Sequence, residues 1–398
     1  MSELFIGGDP RFLSGCLKEC SANDYTSAPS VIAKATPQSR LATTEALGAL
    51  SGERGLPEAV SKLGVEVHCG KAGYHHRPRL NLFLREGEWP SAGVELETEE
   101  REDVPLRELA TALRSNWFHF ESDSSLGTGS TEGYELITEP LPPRCYRNPR
   151  LWAGLQNILS PWVRSWEFRE TGLHVHVGMT QFEELAELSP YLADLHDRRY
   201  FGKVLSAYLY FNVVPRTFTD KVFLRKPGEY CHAPEQPKGF MPWREGTTGH
   251  DVLRNVLFAV MSYEAASGNY TRSSVPRTVA SCPRATAIAS AMGADRTGAA
   301  RGTSSLRYIG YGCSFSGHSC EINVQNEHTL EFRRGKGTLN GVSILRMVEF
   351  CTLLVRYAAK LVRSPDDPVG PAEIYRYIAE NTTSEALKSL AESELKGV

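Results

Sequence analysis

Several short stretches alternate apolar with polar residues, and a period of two predicts strands. Gly93-Val94-Glu95-Leu96-Glu97 alternates apolar with acidic side chains, so a half-buried strand over Ser91–Thr98 carries Glu95 and Glu97 on its wetter face. Phe120–Leu126 and Tyr134–Leu141, joined by a glycine-rich turn that ends at Gly133, predict a hairpin-like pair bearing Asp123 and Glu135. Gly172-Leu173-His174-Val175-His176-Val177-Gly178 places His174 and His176 on one strand face and Leu173, Val175 and Val177 on the other. Cys320–Val324 and Thr329–Arg334 pattern as paired strands. In the second of these Glu331 and Arg333 share one face, and Leu330, Phe332 and Arg334 share the other. Shorter strand patterns occur at Leu4–Ile6, Gly64–His68 and Arg79–Leu84.

Apolar residues recur at helical spacing elsewhere. Helices are expected over Val104–Trp117 (Leu106, Leu109, Leu113), Pro149–Phe168 (Leu151, Leu155, Ile158), one or two within 181–211, and Val252–Ala266. A well-patterned helix follows over Gly341–Leu361 (Val342, Leu345, Val348, Leu353, Leu354). Pro215-Arg216 and Arg225–His232 read as loops. The pattern therefore divides the chain into an N-terminal extension over 1–90, part strand and part weakly patterned Ala/Ser/Thr sequence. A mixed strand–helix domain over 91–362 and a helical tail with a proline-containing linker over 363–398 follow. The fold class expected is α+β.

Composition changes this picture in few places. A net charge of -3 gives no overall attraction to nucleic acid or membrane surfaces. No apolar run approaches the roughly 18 residues that cross a bilayer. The start has neither a basic region nor a long apolar stretch of the secretory type, so the expected location is cytoplasmic. Nine scattered cysteines fit reduced thiols better than a disulfide framework, and Cys16 and Cys20 lack a second ligand pair for a metal. One segment, 265–310, carries six arginines (Arg272, Arg277, Arg284, Arg296, Arg301, Arg307) against the single acid Asp295. It reads either as a solvated insertion or as a basic lid that meets an anionic ligand, and it is the one segment able to contact a polyanion.

The strand signals add up to more than each alone. Glu95/Glu97, Asp123, Glu135, His174/His176 and Glu331/Arg333 alternate on separate strands, which predicts a sheet face lined by carboxylates, imidazoles and an arginine. Like charges in a part-buried site are costly, and two divalent cations would relieve the repulsion.

The ordered set of motifs resembles a known family. Gly93–Glu97, Asp123-Ser124-Ser125-Leu126, Glu135–Leu141, Gly172–Gly178, Thr329–Arg333 and Gly337-Thr338-Leu339-Asn340 are similar to those of the amidoligases. These belong to the carboxylate–amine ligase superfamily of glutamine synthetase and glutamate–cysteine ligase. The resemblance covers about 91–360. It departs at Ser124, where the family often has Gly, and at the 265–310 insertion.

The resemblance implies a curved antiparallel sheet, like the glutamine synthetase catalytic domain, with helices on one face and ATP and two Mg²⁺ or Mn²⁺ ions on the concave face. Carried over motif by motif, Glu97 and Glu135 hold one metal, with Asp123 or Glu139 nearby, and Glu95, His174 and Glu331 hold the other. His176 lies near the nucleotide phosphates and Arg333 contacts the transferring phosphoryl group, so Asp123, His176 and Arg333 are the catalytic candidates. Arg334, on the opposite strand face, reads first as an ion-pair partner and second as a nucleotide-side residue. Arg216, Arg225 and Tyr230 are the candidates for an acceptor carboxylate. The implied reaction is formation of an amide or peptide-like bond between a small-molecule or peptide carboxylate and an amine, through an acyl phosphate. An oligomer is compatible with it. Three alternatives stay open: a phosphotransferase on the same fold, a hydrolase whose His-x-His strand holds zinc, and a non-catalytic binding module.

Overall fold

Antiparallel strand pairs and helices make this an α+β protein. The computed structural model describes residues 88–100, 118–122, 126, 133–138, 140–160, 163–165, 171–185, 189, 191, 192, 195, 197–225, 243–266, 321–324, 326 and 328–397. The expected strands near 4–6, 64–68 and 79–84, the 104–117 helix, Asp123, Glu139, Tyr230 and almost all of the 265–310 segment lie outside the described residues. The elements are β1 (Ala92–Glu100), β2 (Phe118–Ser122), β3 (Gly133–Thr138), α1 (Pro143–Tyr146), α2 (Pro149–Leu159), β4 (Val163–Arg164), β5 (Gly172–Gly178) and α3 (Gln181–Glu184). They continue with α4 (Arg198–Tyr208), α5 (Arg216–Phe223), α6 (Gly249–Ala266), β6 (Ile322–Asn323), β7 (Thr329–Lys336), α7 (Gly341–Arg363), α8 (Pro371–Asn381) and α9 (Glu385–Leu395). Two units are distinguished, one running to Val175 and including Gly335–Glu349, the other His176–Arg334 with Phe350–Val398.

In the first unit the hydrogen-bonded order is β2-β3-β1-β5, and β4 also pairs with β1. β1 alternates as its sequence demands: Ala92, Val94 and Leu96 are buried, and Glu95 and Glu97 are partly exposed. Leu96 faces Leu136 across the β1–β3 ladder, and both are fully buried. α2 begins on Asn148, whose side chain accepts from the Arg150 N–H at 3.0 Å, with Pro149 supplying a preset φ. The expected helix to Phe168 stops at Leu159. Ser160 is followed by Pro161, which lacks the N–H the helix needs, and the chain resumes as β4. Buried Trp152 donates from its ring nitrogen to the Tyr146 carbonyl at 2.8 Å. The first turn of α7 docks on the same helix. Gly341 donates to Gln156 Oε1 at 2.9 Å, and a Cβ there would lie 2.7 Å from the Trp152 backbone. Val342, expected on the apolar stripe of α7, is 61% exposed, because the stripe that packs is Ile344, Leu345, Met347 and Val348.

In the second unit the order is β5-β7-β6. The Met179 N–H, just past β5, donates to the His328 carbonyl, just before β7, at 3.1 Å, so the end of β5 lies against the start of β7. β6 pairs antiparallel with β7 in the register Ile322↔Phe332 and Asn323↔Glu331. α4 starts on Asp197, which accepts from the Tyr200 N–H at 2.8 Å, and it runs into a π-helical turn over Leu209–Val213. Pro215-Arg216, expected as loop, opens α5. Proline is tolerated at a helix start, and Phe218, Val222 and Phe223 bury one face. An aromatic cluster of Tyr210, Phe218, Phe223, Phe332, Phe350 and Tyr375 forms the core, with Phe218 and Tyr375 centroids 4.7 Å apart. α8 and α9 pack on each other, α9 starting on Ser384, whose hydroxyl accepts from the Leu387 N–H. Among the described residues no helix is long and apolar enough to cross a membrane.

Candidate functional site

The first unit gathers acids by register. Glu97 faces Glu135 across β1–β3, and Glu135 faces Glu121 across β3–β2. Residues paired in register point to the same sheet face with Cβ atoms about 5 Å apart. Three glutamates therefore stand abreast on adjacent strands, with Glu121 and Glu135 buried and Glu97 nearly so. β5 adds an imidazole at one end of the row. His174 Nε2 lies 3.6 Å from Glu97 Oε1, and its Nδ1 lies 3.4 Å from Glu95 Oε2. The Gly172 N–H donates to Glu97 Oε2. The ring is thus flanked by two carboxylates, an arrangement in which one fixes ring orientation while the other nitrogen faces a ligand. Glu99, next on this face, is buried and 3.5 Å from Arg164 Nη2.

The second unit gathers Glu331, Arg333 and His176. Glu331 Oε2 accepts from Asn323 Nδ2 at 2.9 Å and from Asn326 Nδ2 at 3.0 Å. Its Oε1 accepts from Arg333 Nη1 and lies 3.9 Å from His176 Nε2. His176 Nδ1 is 3.3 Å from the Thr329 hydroxyl. Asn326 sits in a connection that α4 holds down, with Lys203 Nζ donating to its carbonyl and Arg199 Nη1 donating to His328 Nδ1 at 2.7 Å.

Arg334 and Arg216 go elsewhere. Arg334 is fully buried on the opposite face of β7. Its Nη1 donates to Thr219 Oγ1 at 2.7 Å and lies 3.7 Å from Glu321 Oε2, and its Nη2 donates to Asp220. Arg216 clasps Glu321 with both terminal nitrogens, Nη1 donating to Oε2 at 2.6 Å. The Tyr210 hydroxyl donates to the same Oε2 at 2.9 Å. Burial holds the Arg334 guanidinium below its ordinary pKa. Burial, and then the Glu321 charge, push the Tyr210 phenol well above its own. Two arginines and two carboxylates thus form a closed structural network, and the acceptor-carboxylate role expected of Arg216 has its guanidinium already bound to Glu321. Arg225 lies just past α5, after Leu224 in a left-handed conformation.

The structure therefore brings Glu95, Glu97, Glu135 and His174 together in one unit, and His176, Glu331 and Arg333 together in the other. Sequence reasoning missed Glu121, Asn323 and Asn326. Glu121 has the same parity as Asp123, so alternation alone offered it. Asn323 and Asn326 carry no pattern of their own and are found through their bonds to Glu331. No protein-family model matches the chain, and no curated protein matches it in sequence.

Proposed function

We propose that this chain is an ATP-dependent carboxylate–amine ligase that works with two divalent ions, Mg²⁺ or Mn²⁺, on a sheet of the glutamine synthetase kind. The observation that carries this reading is the row Glu121–Glu135–Glu97, with His174 at its end. Carboxylates in such a register repel one another, and hard divalent ions take oxygen-rich donor sets. The donor chemistry fits. His174 Nε2 and Glu97 Oε1, 3.6 Å apart, suit two ligands of one ion at about 2.0–2.2 Å from each. His176 Nε2 and Glu331 Oε1, 3.9 Å apart, suit a second. Bound ions would neutralise phosphate charge and make ATP competent to activate a carboxylate. The chain's own residues do the rest. Glu95 orients His174, the two asparagines fix Glu331, and Arg333 supplies a guanidinium for a phosphoryl oxygen. The substrates are a small-molecule or peptide carboxylate and an amine. Nine scattered cysteines, which fit reduced thiols better than a disulfide framework, support a reducing, cytoplasmic setting.

The test is calorimetry of ATP binding with and without Mg²⁺. The expected result is binding that needs Mg²⁺ and is lost in Glu331→Ala, followed by ADP or AMP release that depends on an amine. Absence of nucleotide binding at millimolar ATP overturns the reading. A stable phosphorylated product formed without an amine assigns a phosphotransferase instead. Nucleotide-independent hydrolysis with Zn²⁺ assigns the hydrolase.

A further inference from the structure

Glu331 is gripped unequally at its two oxygens. Oε2 accepts from the Asn323 and Asn326 amides at 2.9 and 3.0 Å. A carboxylate oxygen offers two in-plane lone pairs, and neutral amide donors at these distances occupy both. Oε1 accepts from Arg333 Nη1 and is the oxygen beside His176 Nε2. The asparagines thus set which oxygen a cation meets, and a cation that takes Oε1 competes with the Arg333 guanidinium for it. Arg333 sits two residues along β7 on the same face as Glu331, within reach of that oxygen, and its backbone is held in the sheet by its N–H donating to the Glu321 carbonyl at 2.8 Å.

We propose that Arg333 is a displaceable counter-ion of Glu331: a divalent cation binding at Glu331 and His176 expels the guanidinium from Oε1, and the displaced guanidinium then takes the phosphate of the nucleotide. The inference rests on the reading of Glu331 and His176 as cation ligands. It adds the exchange, and with it an order of binding. A guanidinium fork matches phosphate oxygens as well as it matches a carboxylate, so the side chain changes partner without losing its charge-assisted bonds. Cation and nucleotide then favour each other by an equal factor, as linkage requires. Removing Arg333 has effects of opposite sign on the two ligands, which a merely structural role does not produce.

The experiment measures Mn²⁺ binding to the full chain by the loss of the free-ion paramagnetic resonance signal, and ATP binding at fixed Mn²⁺ by calorimetry. The proteins are the wild type, Arg333→Gln, Arg333→Lys and Glu331→Gln. Arg333→Gln is expected to bind Mn²⁺ about tenfold tighter and ATP about tenfold weaker, the factor set by one charge-assisted hydrogen bond. Arg333→Lys keeps a competing charge without the fork. It is expected to hold wild-type Mn²⁺ affinity and to bind ATP several-fold more weakly, which keeps the test alive if the Gln variant does not fold. Unchanged or weaker Mn²⁺ binding in Arg333→Gln, with Glu331→Gln impaired, overturns the exchange alone. Wild-type Mn²⁺ binding in Glu331→Gln overturns the ligand reading and the exchange with it.

Discussion

Arg333 and Arg334 are neighbours in sequence with opposite roles, because a strand sends them to opposite faces. Arg334 closes a buried network with Glu321, Asp220, Thr219 and Tyr210. Deleting one member of such a network leaves a buried charge uncompensated. Arg334→Ala is expected to lower stability by about 3–5 kcal/mol in urea unfolding. Arg333→Gln, on the half-buried face, is expected to cost less than Arg334→Ala does. Tyr375 gives the reverse case. Its hydroxyl is buried without a hydrogen-bond partner in the described structure, so Tyr375→Phe removes an unsatisfied group. The expected change is neutral to about 1 kcal/mol more stable by the same measurement. In the carboxylate row, Glu97→Gln/Glu135→Gln is expected to remove the row's share of the rise in melting temperature that Mn²⁺ gives the wild type, leaving the share of the ion at His176 and Glu331. The row's share corresponds to about 2.7 kcal/mol at one hundred times the dissociation constant. A wild-type Tm indifferent to Mn²⁺ and to chelator would remove the cation from the row.

At the scale of elements, the close approach of β5 and β7 depends on Gly335. A Cβ there would sit 2.4 Å from the Leu173 carbonyl oxygen, backbone that cannot swing aside. Gly335→Ala is expected to cost about 1–3 kcal/mol or more, read by denaturant midpoint. The start of α2 at Asn148-Pro149 was readable from its local signal, whereas the reading left the starts of α4 on Asp197 and α9 on Ser384 undivided within 181–211 and 363–398. The reading failed where a proline cuts either way. Pro161 ended a helix expected to continue, and Pro215 began one expected to be loop. The residues that follow decided each case: Phe218, Val222 and Phe223 have a face to bury, and the chain after Pro161 pairs with β1 instead.

At the scale of the molecule, buried tyrosines and the buried Cys351 thiol, which burial also raises, carry the alkaline response. Burial raises the phenols of Tyr208 (to about 12), Tyr210, Tyr357 and Tyr375. A group whose folded pKa lies above its unfolded value stabilises the fold fully below the unfolded pKa of 10.0 and loses that contribution as pH climbs toward the folded one. Stability is therefore expected to begin falling beyond pH 9.0 through Cys351 and to fall more steeply beyond pH 10, with each such tyrosine adding up to about 1.4 kcal/mol per pH unit to the slope. Urea unfolding between pH 8 and pH 11.5 checks this, and Tyr375→Phe is expected to make the slope shallower. An unchanged midpoint at pH 11.5 would refute it.

The sequence by itself determined which side chains share a strand face. Alternation is a property of each strand alone, and Leu173, Val175 and Val177 are fully buried while Glu95 and Glu97 keep some exposure. It also determined the long C-terminal helix and the α+β class. Only the tertiary structure decided who stands opposite whom. Cross-strand register depends on the packing of distant apolar faces, such as Leu96 on Leu136, and a slip of one residue would send every acid to the other side. That register put the unremarked Glu121 beside Glu135 and Glu97. It set Asn323 opposite Glu331, and on the other face of β7 the fold committed Arg334 to a buried network. The residues of the row were legible one at a time, and their adjacency was not, because it is a contact between segments that the chain brings together only when it folds.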